Sequence, residues 1–181
     1  MALILEPGLL SETIGSLAEL VRALDRESHP AGYTDALLRT SIPPEELVSF
    51  SQWNSRHYTR QCIHRTHDFE LMLIGYEPGQ STSIHDYDSQ MAWIKPVLGS
   101  VREERFKANA DGKFRLHGEK ILGVGSLSYM AAKNCIHRHS NAGTGCAITL
   151  NLYSQPIRRW RVYDERTGLA SLLGTAEADG E

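Results

Sequence analysis

Two short clusters carry the side chains best suited to hold a metal ion. One is Gly79-Gln-Ser-Thr-Ser-Ile-His85-Asp86-Tyr87-Asp88, and the other is His137-Arg138-His139-Ser140-Asn141. Neutral imidazoles suit iron, nickel, copper or zinc. In an extended segment side chains alternate between faces, so His85 and Tyr87 share one side. By the same alternation His137 and His139 share a side, and closure of a barrel would bring His137 to His85 from a distant strand. Eight histidines in 181 residues exceed what packing usually calls for, and that excess directs attention to these clusters.

Local patterns along the chain indicate the scaffold around them. Residues 11–26 have apolar side chains at Ile14, Leu17, Leu20, Val21 and Leu24, the spacing of an amphipathic helix, with Ser11 placed to cap it. A short second helix is expected around Tyr33–Arg39. A third is expected after Pro43-Pro44, because proline fits a first helical turn and Glu45 and Glu46 suit its positive end. From about Tyr58 the pattern changes to short β-branched and aromatic segments, each ended by Gly, Pro, Asn or Asp. These are Tyr58–Ile63, Phe69–Tyr76, Ser83–Asp86, Met91–Leu98, Val101–Lys107, Phe114–Leu122, Ser126–Met130, Cys135–His139 and Ala147–Tyr153. Helices followed by about nine strands predict an all-β barrel or sandwich with a helical N-terminal cap. The chain length fits a single domain, with the cap over about residues 1–50, the barrel over about 55–165 and a frayed acidic tail over about 174–181.

Composition excludes several classes of function. The net charge is −3 with acidic and basic residues interspersed, which gives neither a nucleic-acid groove nor a polybasic membrane anchor. No run approaches the ~20 apolar residues of a membrane span, and the N-terminus lacks a basic, then apolar, leader. Three cysteines, Cys62, Cys135 and Cys146, are widely spaced without a CxxC pair, so a disulfide framework is not expected and a reducing cytoplasm is. His57, His64 and His67 fit no single strand face and read as surface or edge residues. Trp93 reads as barrel packing, and Arg158-Arg159-Trp160-Arg161 as a solvated edge.

The spacing Gly79…His85…residue 87, followed by His137…Asn141, resembles the paired signature of the cupins, whose fold is a double-stranded β-helix or jelly-roll barrel. Five further segments occur in order: Tyr58-Thr59-Arg60, Ser83-Ile84-His85-Asp86, His137-Arg138, Leu150-Asn151-Leu152-Tyr153-Ser154 and Asp164-Glu165-Arg166-Thr167-Gly168. Together, from about Gln52 to Gly168, they resemble the cysteine dioxygenase family, the thiol-oxidising branch of the cupins. That resemblance implies one Fe(II) held by three histidines, with a small thiol and O2 as reactants and a sulfinate as product. It assigns His85 and His137 to the first and third ligands, Arg60 to the guanidinium that grips a substrate carboxylate, and Tyr58 to the pocket wall beside it. Tyr153 matches the tyrosine whose hydroxyl lies near the iron.

Departures accompany the matches. Tyr87 stands in the place of the second histidine, and Ala92 in the place of a cysteine that crosslinks to the tyrosine in some members. Thr149 and Asn151 replace the serine and histidine that support that tyrosine. Three third ligands are open: His139, which would restore three imidazoles, then Tyr87 as a phenolate, then Asp88 or Asp86 as a carboxylate. A free phenol ionises only near pH 10, and alternation turns both aspartates from His85 unless the strand bulges. The expected activity is Fe(II)-dependent oxidation of a carboxylate-bearing thiol such as L-cysteine. The alternatives are a cupin oxygenase acting on a non-thiol amino acid and a catalytically silent cupin that binds a metal or metabolite.

Overall fold

A computed structural model of the chain describes residues 12–89, 91–108, 114–130 and 135–174. Three short helices come first: α1 (Leu17–Leu24), α2 (Pro30–Arg39) and α3 (Pro44–Phe50). The first is shorter than its periodicity predicts. Ile14 forms an isolated bridge with Thr40, and its N–H donates to the Arg39 carbonyl over 3.1 Å. Extended backbone there delays the helix to Ser16, whose hydroxyl accepts from the Glu19 N–H as an N-cap. Ser11, the expected cap, lies outside the described residues. Proline occupies the first turn of both α2 and α3, where its missing N–H has no helical partner to lose.

Eleven strands follow among the described residues: β1 (Thr59–Arg65), β2 (Phe69–Tyr76), β3 (Ile84–Tyr87), β4 (Met91–Leu98), β5 (Ser100–Ala108), β6 (Phe114–Gly123), β7 (Ser128–Met130), β8 (Ile136–Asn141), β9 (Ala147–Ser154), β10 (Arg159–Tyr163) and β11 (Ala170–Gly174). They form two antiparallel sheets, ordered β1-β2-β9-β4-β7 and β11-β10-β3-β8-β5-β6, the expected jelly-roll arrangement. β10 and β11 are additional to the nine predicted strands. β10 is not a solvated edge, because it pairs with β3 on one side and β11 on the other. Its charges mask a period-2 pattern in which Trp160 and Val162 share one face.

All eight residues of β2 are buried, since its sheet is covered on both sides. Phe69, Leu71 and Leu73 pack outward against Leu17, Leu20 and Leu24 of α1 and against Leu37 of α2. Met72, Ile74 and Tyr76 point inward between the sheets. Each fully buried Leu of this outer layer contributes about 2 kcal/mol, so the helices and this sheet hold one another in place. Trp93 belongs to that outer layer rather than to the barrel interior. Its ring meets Tyr33 edge-on, and its Nε1–H donates to Thr34 Oγ1 over 2.8 Å. Gly99 turns β4 into β5 at φ +66°, and a Cβ there would lie 2.7 Å from the Cys146 carbonyl oxygen. The helical cap therefore covers one outer face, leaving the inner faces of β3, β8, β9 and β10 to build a cavity. Among the described residues no helix is long and apolar enough to cross a membrane.

Candidate active site

β3 and β8 are neighbours, and their register sets His85 directly opposite His137. The two are far apart in sequence but form a cross-strand pair, with ring centroids 4.3 Å apart. Each Nδ1 lies against a carbonyl two residues earlier, Ser83 at 2.8 Å and Cys135 at 2.7 Å. Those carbonyls can only accept, so Nδ1 carries the proton and Nε2 keeps its lone pair for another partner. Burial lowers the pKa of His85 to about 4 and that of His137 well below the ordinary histidine value. Both rings are therefore neutral at physiological pH, the form that ligates a metal.

Tyr87 follows His85 on the same face. Its ring stands edge-on to His137, with centroids 5.3 Å apart, and edge-on to Tyr153 at 5.2 Å. Its hydroxyl is buried and has no hydrogen-bond partner among the described residues. His139 is also buried, 5.2 Å from the His137 ring centroid to centroid. However, the β5–β8 register places Glu103 opposite it, and His139 Nε2 lies 3.4 Å from Glu103 Oε2. Among the described residues no three His, Cys, Asp or Glu side chains are grouped closely enough to hold one ion. The structure thus pairs His85 with His137 and places His139 on the same cavity wall, with one ring nitrogen turned to a carboxylate.

Neither aspartate lines the cavity. Asp86 faces outward, where it accepts from Arg161 Nε at 2.9 Å and from the Tyr163 hydroxyl at 2.8 Å. Asp88 accepts from the Arg158 and Arg159 N–H groups, both at 3.1 Å. The β3–β10 register runs unbroken from Ile84 to Tyr87, so no bulge redirects them.

The remaining expected residues converge on the same cavity. Tyr58 and Arg60 line it together with His85, Tyr87, His137 and Tyr153. It is narrow, with about 50 Å³ open to water, room for a few waters or a small metabolite rather than a peptide. Arg60 sits at its exposed end, and no carboxylate of the described residues pairs with it. Tyr58 stacks on Tyr76 with centroids 5.8 Å apart. On β9, Thr149 donates to Asn151 Oδ1 at 2.7 Å, and Asn151 Nδ2 donates to the Tyr153 hydroxyl at 3.2 Å. Burial raises the pKa of Tyr153, with the charge of Arg60 and the bond from Asn151 pulling the other way. Tyr153 is a neutral phenol whose oxygen is held by a neutral amide.

Sequence reasoning missed Glu103, Trp160 and Val162. Trp160 and Val162 form a wall of the cavity, and Glu103 is a carboxylate with no side-chain exposure. The only signal for Glu103 was its alternation with Val101 and Arg105, hidden inside the charged run Arg102–Arg105. Of the looser histidines, His64 pairs with Asp25 across the surface at 3.1 Å and His67 with Asp68 at 3.3 Å. They lie apart from the cavity, on the edge the sequence suggests.

Comparisons with known proteins bear on this arrangement. The family model described as cysteine dioxygenase type I matches residues 5–166. The chain is 27% identical over 130 residues to a cysteine dioxygenase type 1 from Danio rerio, covering 69% of this chain and 65% of that protein. It is 28% identical over 132 residues to the protein of the same name from Homo sapiens, covering 69% of this chain and 64% of that one. The matches therefore span a little under two thirds of those relatives' length. Among solved structures, a Klebsiella pneumoniae protein with a double-stranded β-helix domain superposes with a TM-score of 0.51 at 12% identity, covering 71% of this chain and 87% of that one. That likeness establishes the fold as a double-stranded β-helix barrel.

Proposed function

The chain belongs to the cysteine dioxygenase family, and from that membership we propose that it is an Fe(II)-dependent thiol dioxygenase. The reaction is RSH + O2 → RSO2H, in which both oxygen atoms join sulfur and the thiol proton stays with the sulfinic acid or passes to solvent. The substrate is a small thiol bearing a carboxylate, with L-cysteine the first candidate. One observation carries the reading: a neutral imidazole pair and a guanidinium with no carboxylate partner among the described residues face one narrow cavity.

His85 and His137 would hold the metal through Nε2, since both Nδ1 atoms are committed to carbonyls. The orphaned Tyr87 hydroxyl beside them is a further polar atom that a bound ion would satisfy, so the residues present fit such a group. The metal would supply what dioxygen chemistry requires, an electron donor in contact with a thiolate. Arg60 offers a planar fork of donors to the substrate carboxylate, a geometry that fixes orientation as well as position. Holding one end of the substrate this way turns a bimolecular encounter into an oriented one. Tyr58 packs beside that fork, and Trp160 and Val162 keep bulk water from the reacting end. Tyr153 lines the cavity, and its oxygen accepts from Asn151, which leaves its own O–H to be donated elsewhere. In the cavity it can donate to a developing oxyanion without itself losing a proton.

A second reading, oxidation of a non-thiol amino acid, draws on Tyr87 and Asn151, which alter the two places where the family resemblance expects histidine. Oxygen consumption separates the two. Protein loaded with Fe(II) under argon is expected to consume O2 with L-cysteine and not with L-serine, which differs in a single atom. Uptake with serine or other non-thiol amino acids but not with cysteine would favour the second reading.

A further inference from the structure

We infer that Tyr87 is the third protein ligand of the metal, giving a two-histidine, one-tyrosinate site; the inference rests on the iron-enzyme reading above. The observation behind it is the buried Tyr87 hydroxyl, which has no hydrogen-bond partner among the described residues. A buried hydroxyl without a partner is costly, and the great majority of such groups in proteins are paired. The carboxylates near the histidine pair are already engaged. Asp86 is held by Arg161 and Tyr163, and Asp88 accepts two backbone N–H groups. His139 shares the cavity but has Nε2 turned to Glu103, so only Nδ1 is left to it, and no cluster of three His, Cys, Asp or Glu side chains forms there among the described residues. The oxygen of Tyr153, the other phenol of the cavity, already accepts from Asn151.

Position agrees with chemistry. Tyr87 stands two residues after His85 on the inner face of β3, and its ring is packed edge-on against His137. On coordination the phenol O–H bond breaks, a metal–oxygen bond forms, and the proton passes to solvent. Three imidazoles leave an ion's charge untouched, whereas a phenolate removes one unit of it. This site should therefore favour Fe(III) more than a three-histidine site does and oxidise more readily.

The test is spectroscopic. Full-length protein is loaded with Fe(II) anaerobically and then oxidised with one equivalent of ferricyanide. A ferric phenolate has an intense ligand-to-metal charge-transfer band in the visible that imidazole ligands do not produce. The band is expected in the wild type, absent in Tyr87→Phe and retained in His139→Gln. Competition with a chelator should show iron affinity at least about tenfold weaker in Tyr87→Phe, since even losing a group behind the ligands costs that much. The metal-free variant should melt higher than metal-free wild type, because the unpaired hydroxyl is gone, while the iron-loaded variant melts lower than iron-loaded wild type. If Tyr87 only packs, the Tyr87→Phe variant is the more stable in both states and binds iron equally well, and the inference is overturned. Iron bound without the band, or a band surviving in Tyr87→Phe, also overturns it and leaves the iron-enzyme reading standing. Failure of the wild type to bind iron at all removes both.

Discussion

Replacing Arg60 with alanine is expected to lower kcat/KM for L-cysteine about a hundredfold, mostly through KM. A charge-assisted hydrogen bond contributes about 1.5–3 kcal/mol, and the guanidinium makes two in parallel when it meets a carboxylate. Arg60 has no carboxylate partner among the described residues, so its charge is available to an incoming ligand rather than spent inside the protein. Arg60→Lys keeps the charge but loses the fork, and should recover only part of the loss. Cysteamine, a thiol without the carboxylate, provides the control: wild type and Arg60→Ala should process it equally slowly. A variant that loses the same factor with both thiols would show that Arg60 shapes the pocket rather than gripping the carboxylate. Steady-state oxygen uptake on the four enzyme–substrate pairs decides between these outcomes.

The second large effect concerns Glu103, whose role lies in the fold of the cavity floor. This carboxylate has no side-chain exposure, yet it is surrounded by donors. Arg105 Nε donates to it at 2.7 Å, the Ser128 hydroxyl at 2.5 Å, and Lys120 Nζ lies 3.3 Å away. Burial pushes its pKa up, but the bonds from His139 and Ser128 and the charge of Arg105 outweigh burial and hold it below the ordinary carboxyl range. Glu103→Ala is expected to cost about 3 kcal/mol, the low end of what breaking a buried ion pair costs. The low end applies because Arg105 and Lys120 are partly exposed and can be rehydrated. The urea midpoint measures this directly. Because the folded carboxyl is depressed, its contribution is complete above its unfolded value of about 4.5 and fades as pH falls below that. The stability gap between wild type and Glu103→Gln should therefore be constant near neutrality and narrow in acid. A gap that widens on acidification, or an alanine variant as stable as wild type, would contradict the role given to Glu103.

Much of this architecture is legible in the residues, and the exceptions share a physical cause. Phe69–Tyr76 and Met91–Leu98 read as strands because they are apolar and sit on a doubly covered sheet, and they occupy the expected residues. Alternation alone places His85 and Tyr87 on one face and Asp86 on the other. What local pattern does not reveal is anything decided by a distant partner. Trp93 looks like barrel packing until helix α2 is seen to cover the outer face and take its N–H at Thr34. The Arg158–Arg161 run looks like an edge until β10 is seen to pair with β3, far earlier in the chain, and with β11 beyond it. Periodicity carries α1 back to Ser11, whereas the bridge from Ile14 to Thr40 sets where it begins. The choice among His139, Tyr87 and Asp88 is of the same kind. Each is a plausible donor by type and spacing, and sequence cannot show that Asp86 and Asp88 are bonded outside the cavity while His139 and Tyr87 line it.

That distinction matters for how the site works. Two neutral histidines anchored by their own backbone, a guanidinium with no carboxylate partner among the described residues and a phenol held by an amide are all set before any ligand arrives. A cavity prepared in this way needs little rearrangement to orient a small substrate, which is where positioned groups gain their advantage. The narrow volume and the Trp160–Val162 wall restrict it to compact molecules.

The most direct measurement is the fate of labelled dioxygen in a single product. Fe(II)-loaded protein is given L-cysteine under 18O2, and the product is analysed by mass spectrometry. Cysteine sulfinate carrying both labelled atoms, formed in proportion to the oxygen consumed, is the expected result for a thiol dioxygenase. Sulfinate with one label or none, or oxygen consumption that leaves cysteine sulfur unoxidised, would contradict it.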